Sequence, residues 1–443
     1  MTTRLSERMS GVDAAWLRMD DPTNLMVISG VIQLGEPLEL RAIHEVITTR
    51  LLRYDRFRMR VTRPAVGRLR WGLDQDFDLR RHVMRAELDA PGDRAALQAL
   101  IGELMSTPLP SDRPLWQVHV IDNYEGGTAL VFRIHHAMAD GFALLGVMLS
   151  LTEAQQEARS AQPPSAGYPS SLPLAIGAER RDWQGVVREP ARAVAMAKLG
   201  ASGAAALGRL LALRAEPRTA LKGRLGVAKQ AAWSEPIALS VLKEASRRAG
   251  ASINDLLLAC VAGALREHLI RAGSCPSHEL HAVVPVNLRP AGAPERLGNA
   301  FGLAFVGLPV GIADASERLA AVHRSTEAMK GSAEPVAAYA VLSLLGSVRP
   351  RWEETAVKLF GSKATAVITN VPGPREVRTL AGKPIRTMLF FVPQSARLGL
   401  GFSILSYAGE VVLGVAADAA LVRDAGRLVQ GCLQELRALG CRC

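Results

Sequence analysis

Two adjacent histidines, His135 and His136, precede Asp140 and Gly141 in the stretch Ile134-His135-His136-Ala137-Met138-Ala139-Asp140-Gly141-Phe142. Imidazole can take and return a proton near neutral pH. One imidazole, an orienting neighbour and a pocket suffice for general-base chemistry. The stretch lies where a strand-like run, Thr128–His135, gives way to a helix-like run, Phe142–Leu151. Successive strand side chains point to opposite faces, so the two histidines are expected to have different tasks, one facing a cavity and one packing. Asp140 lies one helical turn beyond His136 and suits fixing the turn or pairing with a basic group. Gly141 permits a close backbone approach or a positive φ.

Other chemistries fit less well. A histidine pair can be purely structural. A His-His-Asp metal site is disfavoured, because adjacent strand histidines diverge and no third ligand stands at metal-binding spacing. No Gly-x-Ser-x-Gly elbow and no suitably placed cysteine suggest a covalent acyl-enzyme. Neither a phosphate-binding loop nor a dinucleotide fingerprint occurs in strand–turn–helix context.

The flanking elements follow from apolar periodicity. Met26–Leu34 reads as a strand and Leu38–Leu52 has helical spacing. Leu115–Asp122 and Thr128–His135 read as two strands joined by a turn at 123–127. In the second half, Ile253–Arg271 reads as a helix with Ser252 and Asp255 in a capping-box arrangement. Strand-like runs follow at Ala282–Pro285, Ala304–Leu308, Ala366–Thr369, Leu398–Ser406 and Val411–Ala417, and Leu421–Leu439 reads as a closing helix. Strands interleave with helices in both halves, which predicts an α/β protein of two similar lobes. The expected divisions are 1–155, a basic linker segment at 156–236, and 237–443.

The 443 residues are 49% hydrophobic and 21% charged, which excludes a disordered chain. The net charge of +11 suggests an anionic partner such as nucleic acid, acidic lipid or a phosphorylated cofactor. Most of that surplus falls between Arg180 and Lys229, where 11 basic residues face 3 acidic ones. Arg192, Lys198, Arg209 and Arg214 share one face of a helical projection, with Ala and Leu opposite. The segment reads either as a solvated helix packed on its own protein or as a membrane-surface contact. No recognised nucleic-acid-binding motif accompanies the charge. The five cysteines are sparse and show no Cys-x-x-Cys pair, so a reducing compartment is expected. The N-terminus lacks a signal-peptide core, and no run of about 18–20 uncharged apolar residues occurs. The expectation is a cytoplasmic protein, peripheral at the inner face of the plasma membrane.

His135–Gly141 resembles the HHxxxDG signature of the CoA-dependent acyltransferase superfamily. Other stretches resemble its bacterial wax ester synthase/diacylglycerol acyltransferase branch. They are Met9-Ser10-Gly11-Val12-Asp13-Ala14-Ala15-Trp16, Pro114-Leu115-Trp116, Asn254-Asp255, Pro285–Arg289, Gly298–Gly302, Thr369–Pro374 and Ser406–Gly409. The chain departs from the pattern at Thr219–Gly223, where relatives often show Leu-Asn-Gly. The resemblance implies two chloramphenicol-acetyltransferase-like lobes, each a mixed sheet with helices, and an active-site tunnel between them. It implies an O-acyltransferase that makes triacylglycerol from diacylglycerol, or wax ester from a long-chain alcohol. His136 would be the base, His135 would pack beside it and limit acceptor access, and Asp140 and Gly141 would shape the turn. Asn254 would be a candidate oxyanion donor. Acyl-CoA would be a co-substrate, with no bound cofactor or metal and no nucleic-acid partner. Such apolar acceptors would bring the protein to a membrane or lipid-droplet surface. The alternative within the superfamily is a transferase that takes its acyl group from a carrier protein.

Overall fold

The computed structural model describes residues 6–64, 67–154, 208, 212, 215–274, 279–289, 297–330, 332, 334–345 and 350–441. The strands are β1 (Ser6–Arg8), β2 (Val27–Leu34), β3 (Met59–Thr62), β4 (Arg70–Leu73), β5 (Val83–Ala86), β6 (Trp116–Tyr124), β7 (Gly127–His135), β8 (Glu153–Ala154), β9 (Lys229–Trp233), β10 (Ile237–Ala238), β11 (Leu280–Asn287), β12 (Phe301–Leu308), β13 (Ala366–Pro372), β14 (Arg378–Leu380), β15 (Lys383–Phe391), β16 (Leu400–Tyr407) and β17 (Glu410–Asp418). The helices used below are α1 (Gly11–Arg18), α2 (Leu40–Thr49), α3 (Arg94–Ser106), α4 (Gly141–Ser150), α5 (Leu239–Arg248), α6 (Ile253–Arg271), α7 (Ala315–Met329), α8 (Glu334–Leu345), α9 (Pro350–Gly361) and α10 (Ala425–Ala438).

Two seven-stranded mixed sheets carry the architecture. The first has the order β5-β6-β7-β2-β15-β14-β8, and the second runs β10-β17-β16-β13-β11-β12 with β9 also on β17. β7 is buried along its whole length, which explains its nearly unbroken apolar run. The expected hairpin is β6–β7, and its turn holds Asn123 and Glu125 at positive φ. The expected helix at 253–271 is α6, with the Ser252–Asp255 capping box formed at both bonds. Twelve of its residues are buried, so it forms the spine of the second core.

One crossover departs from simple succession. β14 and β15 come from the second half of the chain, yet β15 pairs with β2 in the first sheet. Tyr407 holds this excursion in place. Its hydroxyl donates to the Ile385 carbonyl (3.0 Å) and accepts from the Arg378 amide (2.9 Å). The two sheets also pack together. Val31, Ala129, Val131 and Phe391 of the first meet Ala231, Trp233, Val412 and Ala416 of the second in one apolar cluster. Burying apolar area in this way holds the lobes at a fixed separation, which a site built from both requires.

Most of the basic segment from Arg180 lies outside the described residues. Its described end, 215–228, contains no helix. Lys222 there pairs with Glu216 (2.8 Å), and Lys229 at the start of β9 is buried against Asp418 (2.5 Å). These two charges serve internal ion pairs rather than a solvent face. Among the described residues, no single helix is long and apolar enough to cross a membrane.

Candidate active site

β7 delivers the histidine pair to the junction of the lobes. The Pro114-Leu115-Trp116 stretch anchors its end. The Leu115 carbonyl accepts from the His135 amide (3.0 Å), and Trp116 is buried with its indole N–H on the Phe57 carbonyl (2.8 Å). Beyond the strand the chain turns sharply. The Met138 amide returns to the His135 carbonyl (2.9 Å), and Asp140 caps α4 by accepting from the Ala143 amide (2.9 Å).

His136 is held on three sides. Its ring stacks on Trp16 of α1, with centroids 4.0 Å apart and planes 14° apart. Phe301 of β12 lies 5.4 Å away, centroid to centroid. Its Nδ1 lies 2.9 Å from the Asn299 side-chain oxygen. The Asn299 amide nitrogen donates to the Asp13 carboxylate and to the His136 carbonyl, both at 2.8 Å. The His136 carbonyl can only accept, so the Asn299 oxygen must face the imidazole and Nδ1 must carry the proton. Nε2 is thereby left as the basic nitrogen. Ser10 places Asp13 in turn, by capping α1 at the Asp13 amide (3.0 Å). Burial pushes the Asp13 carboxyl up, against the Asn299 amide and the Arg56 guanidinium, which favour its charge.

Burial also pushes the His136 imidazole down to about 4, and the nearby negative charge of Asp140 only partly opposes it. A buried ring without a directly bonded carboxylate favours its neutral form. The ring is therefore neutral throughout the physiological range. If His136 is the base, kcat/KM should fall as pH drops through about 4, with no acid limb near 6.5. A pH–rate profile on the purified protein checks this, and a half-maximal rate near pH 6.5 would contradict it.

Asp140 has a different task. It is buried and makes no hydrogen bond to His136 among the described residues. Its carboxylate accepts from the Ala300 amide (2.9 Å) and pairs with Arg289 (2.7 Å), whose other nitrogen reaches the Gly298 carbonyl (2.9 Å). Gly298 sits at φ +114°, a conformation that favours glycine, and this turns its carbonyl toward both Arg289 and the Asp140 amide. One carboxylate thus ties the turn of the first half to β11 and β12 of the second.

A cavity lies over His136. Asp140, Gly141 and Phe142 line it from the first half, and Pro285, Phe301 and Thr369 from the second. Thr369 is 7% exposed, and its hydroxyl makes no hydrogen bond with the described residues. It is therefore an unpaired donor, among the described residues, in the lining of the cavity that His136 shares. Gly141 has no positive φ; a Cβ there would meet nothing within 4 Å, so its contribution is open space in the cavity.

His136, Asp140 and Gly141 therefore meet at one cavity, while His135 and Asn254 are not among its lining residues. The His135 Nδ1 accepts from the Ala137 amide (3.0 Å), and its Nε2 faces Asp20 at 3.6 Å. Asn254 lies in the first turn of α6, next to Asp255, whose carboxylate is taken up by His323 and Thr326 of α7. The positioning residues Asp13, Trp16, Arg289 and Asn299, and the donor Thr369, were not singled out for these roles in the sequence. Each does fall inside one of the family-like stretches, which was the available signal.

Comparison with known proteins identifies the family. The family model described as the wax ester synthase/diacylglycerol acyltransferase catalytic domain matches residues 9–257, and the family's C-terminal domain matches 297–440. A Mycobacterium tuberculosis H37Rv protein named for diacylglycerol O-acyltransferase activity is 32% identical over 386 residues, covering 82% of this chain and 80% of its own. The wax ester synthase/diacylglycerol acyltransferase of Marinobacter aquaeolei VT8 superposes with a TM-score of 0.69 at 20% identity, covering 98% of each chain. The starter condensation domain of rhizomide synthetase, solved with C8-CoA and Leu-SNAC, superposes with a TM-score of 0.62 at 14% identity over 99% of this chain and 94% of that one. With both family models matched in order along one chain, the protein belongs to the wax ester synthase/diacylglycerol acyltransferase family and is an acyltransferase.

Proposed function

We propose that this protein transfers the acyl group of a long-chain acyl-CoA to the hydroxyl of diacylglycerol or of a long-chain alcohol, with His136 as the general base. The observation that carries the reading is the Asn299 bond to Nδ1, which leaves Nε2 unprotonated on a ring that lines the cavity. In the proposed reaction, Nε2 takes the hydroxyl proton as the acceptor oxygen attacks the thioester carbonyl. The carbonyl π pair moves to oxygen, giving a tetrahedral oxyanion. The Thr369 hydroxyl stabilises that oxyanion by donating to it. Collapse breaks the C–S bond, and His136 returns the proton to the departing thiolate. The apolar walls exclude water that would otherwise hydrolyse the thioester.

The test is thiol release from palmitoyl-CoA with diacylglycerol and hexadecanol offered separately, and palmitoyl-carrier protein as an alternative donor. Ester from acyl-CoA supports the reading, and the product ratio identifies the acceptor. Ester from the carrier-bound donor alone would assign the protein to carrier-dependent chemistry. Thr369→Val removes the proposed donor with little change in volume. Its kcat should fall about 10²–10³-fold with a smaller change in KM, while Thr369→Ser should retain most of the rate. An unchanged kcat in Thr369→Val would remove Thr369 from the mechanism.

A further inference from the structure

A second cavity continues from the first between α4 and the face of the first sheet. Ile28, Gly141, Val371 and Phe390 line both. Leu144, Leu145 and Met148 cover it from the helix, and no charged side chain lines it. β2 forms one wall. This strand is paired on both edges, and all of its residues are buried except Gly30. Gly30 stands in register with Phe132 on β7 and Phe390 on β15, both of which also line the cavity. A glycine between two phenylalanines leaves a trough in the sheet face.

Nothing in the fold requires glycine at this position. Its φ is not in the left-handed region, and the nearest atom to a Cβ built there is 3.9 Å away, an ordinary contact. At Gly127 and Gly302, by contrast, a Cβ would lie 2.0 Å from a backbone oxygen. Glycine inside a strand weakens it and often marks a place where a ligand approaches closely. Here the missing side chain keeps open an apolar slot that shares a wall with the cavity lined by His136.

We propose that this slot holds the hydrocarbon chain of one of the two substrates, and that Gly30, with Met148 on the helix side, sets the chain length it accepts. The inference rests on the acyl-transfer reading above. A leucine at position 30 would occupy the trough. A displaced chain loses about 0.8 kcal/mol of transfer free energy per methylene, so each two methylenes excluded lower the relative rate roughly tenfold.

The experiment compares wild type with Gly30→Leu in two series. In one, acyl-CoA donors from octanoyl to stearoyl are paired with hexadecanol. In the other, palmitoyl-CoA is paired with alcohols over the same range of length. The expected result is a shift of at least tenfold toward short chains in one series, with the short-chain rate kept. The series that shifts identifies whose chain fills the slot. Unchanged profiles in a folded variant would overturn the proposal while leaving acyl transfer intact. Absence of ester from wild type in every pairing, and with diacylglycerol as acceptor in the donor series, would overturn acyl transfer, and this assignment with it. Should Gly30→Leu fail to fold, wild type is photolysed with donor and alcohol analogues that carry a terminal diazirine. Labels on β2, β7 or α4 support the slot, and labels confined to other segments overturn it.

Discussion

Replacing His136 with alanine is expected to lower kcat by about 10²–10⁴-fold, the usual contribution of a positioned proton-transfer group. KM for both substrates should change little, because the ring is held by Trp16 and Asn299 rather than by apolar substrate contacts. Asn299→Ala should reproduce part of this loss. Without the amide oxygen, Nδ1 and Nε2 compete for the proton, and the same nitrogen is no longer basic in every molecule. Asn299→Asp is the informative companion. A carboxylate at that position keeps an acceptor on Nδ1 and favours the charged imidazolium, so the acid limb of the pH–rate profile should move up from about 4. A merely structural role for Asn299 would leave that limb where it was. Full ester formation by a folded His136→Ala protein would remove the general-base mechanism altogether.

Asp140→Ala should cost stability more than any other single change at the site. The carboxylate caps α4, accepts from the Ala300 amide and neutralises Arg289, whose side chain is mostly buried. Removing one partner of a buried ion pair costs about 3–5 kcal/mol, because the other charge stays uncompensated. Loss of a helix N-cap alone costs about 1 kcal/mol. Against a typical total of about 5–15 kcal/mol, such a loss should be visible as a large fall in the denaturation midpoint. Asp140→Asn keeps an oxygen for the cap but not the charge, so its midpoint should lie between the other two. Urea unfolding followed by tryptophan fluorescence makes the comparison. Equal midpoints for wild type and Asp140→Ala would mean that the Arg289 pair contributes nothing net.

His136 makes its own contribution to pH-dependent stability. Its native pKa of about 4 lies below the ordinary 6.5, so between those values the unfolded chain binds the proton first. Stability is therefore expected to fall as pH drops from about 6.5 toward 4, by about 3 kcal/mol from this ring. His136→Ala should flatten that part of the stability curve.

Much of the local structure was legible from residue types. Ile253–Arg271 was expected as a helix from its spacing and its Ser252–Asp255 cap, and α6 has those bounds. The hairpin that carries His135 was readable because β-branched runs flank a Gly-rich turn, and the α/β class followed from the alternation of elements. Lys222 and Lys229 contribute to the basic surplus by sequence, but which charges reach solvent is not readable there, and both prove to be paired internally. β15 read as no particular element. Its sequence, Lys383–Phe391, mixes charged and apolar residues, and its partner β2 lies far away along the chain.

Sequence alone determined which residues could do the chemistry and which local elements would carry them. A histidine pair before Asp-Gly, a strand feeding a capped helix and the set of family-like stretches are all properties of near neighbours in the chain. Only the tertiary structure decided which imidazole nitrogen is basic. That depends on Asp13 and Asn299, which stand on either side of His136 in sequence and meet only when α1 and the β12 approach close over it. It likewise decided that Thr369, and not Asn254, lines the cavity over His136, and that Gly30 lines the apolar cavity beside it. Hydrogen-bond direction, burial and cavity shape arise from contacts across hundreds of residues, and local spacing carries no record of those distances.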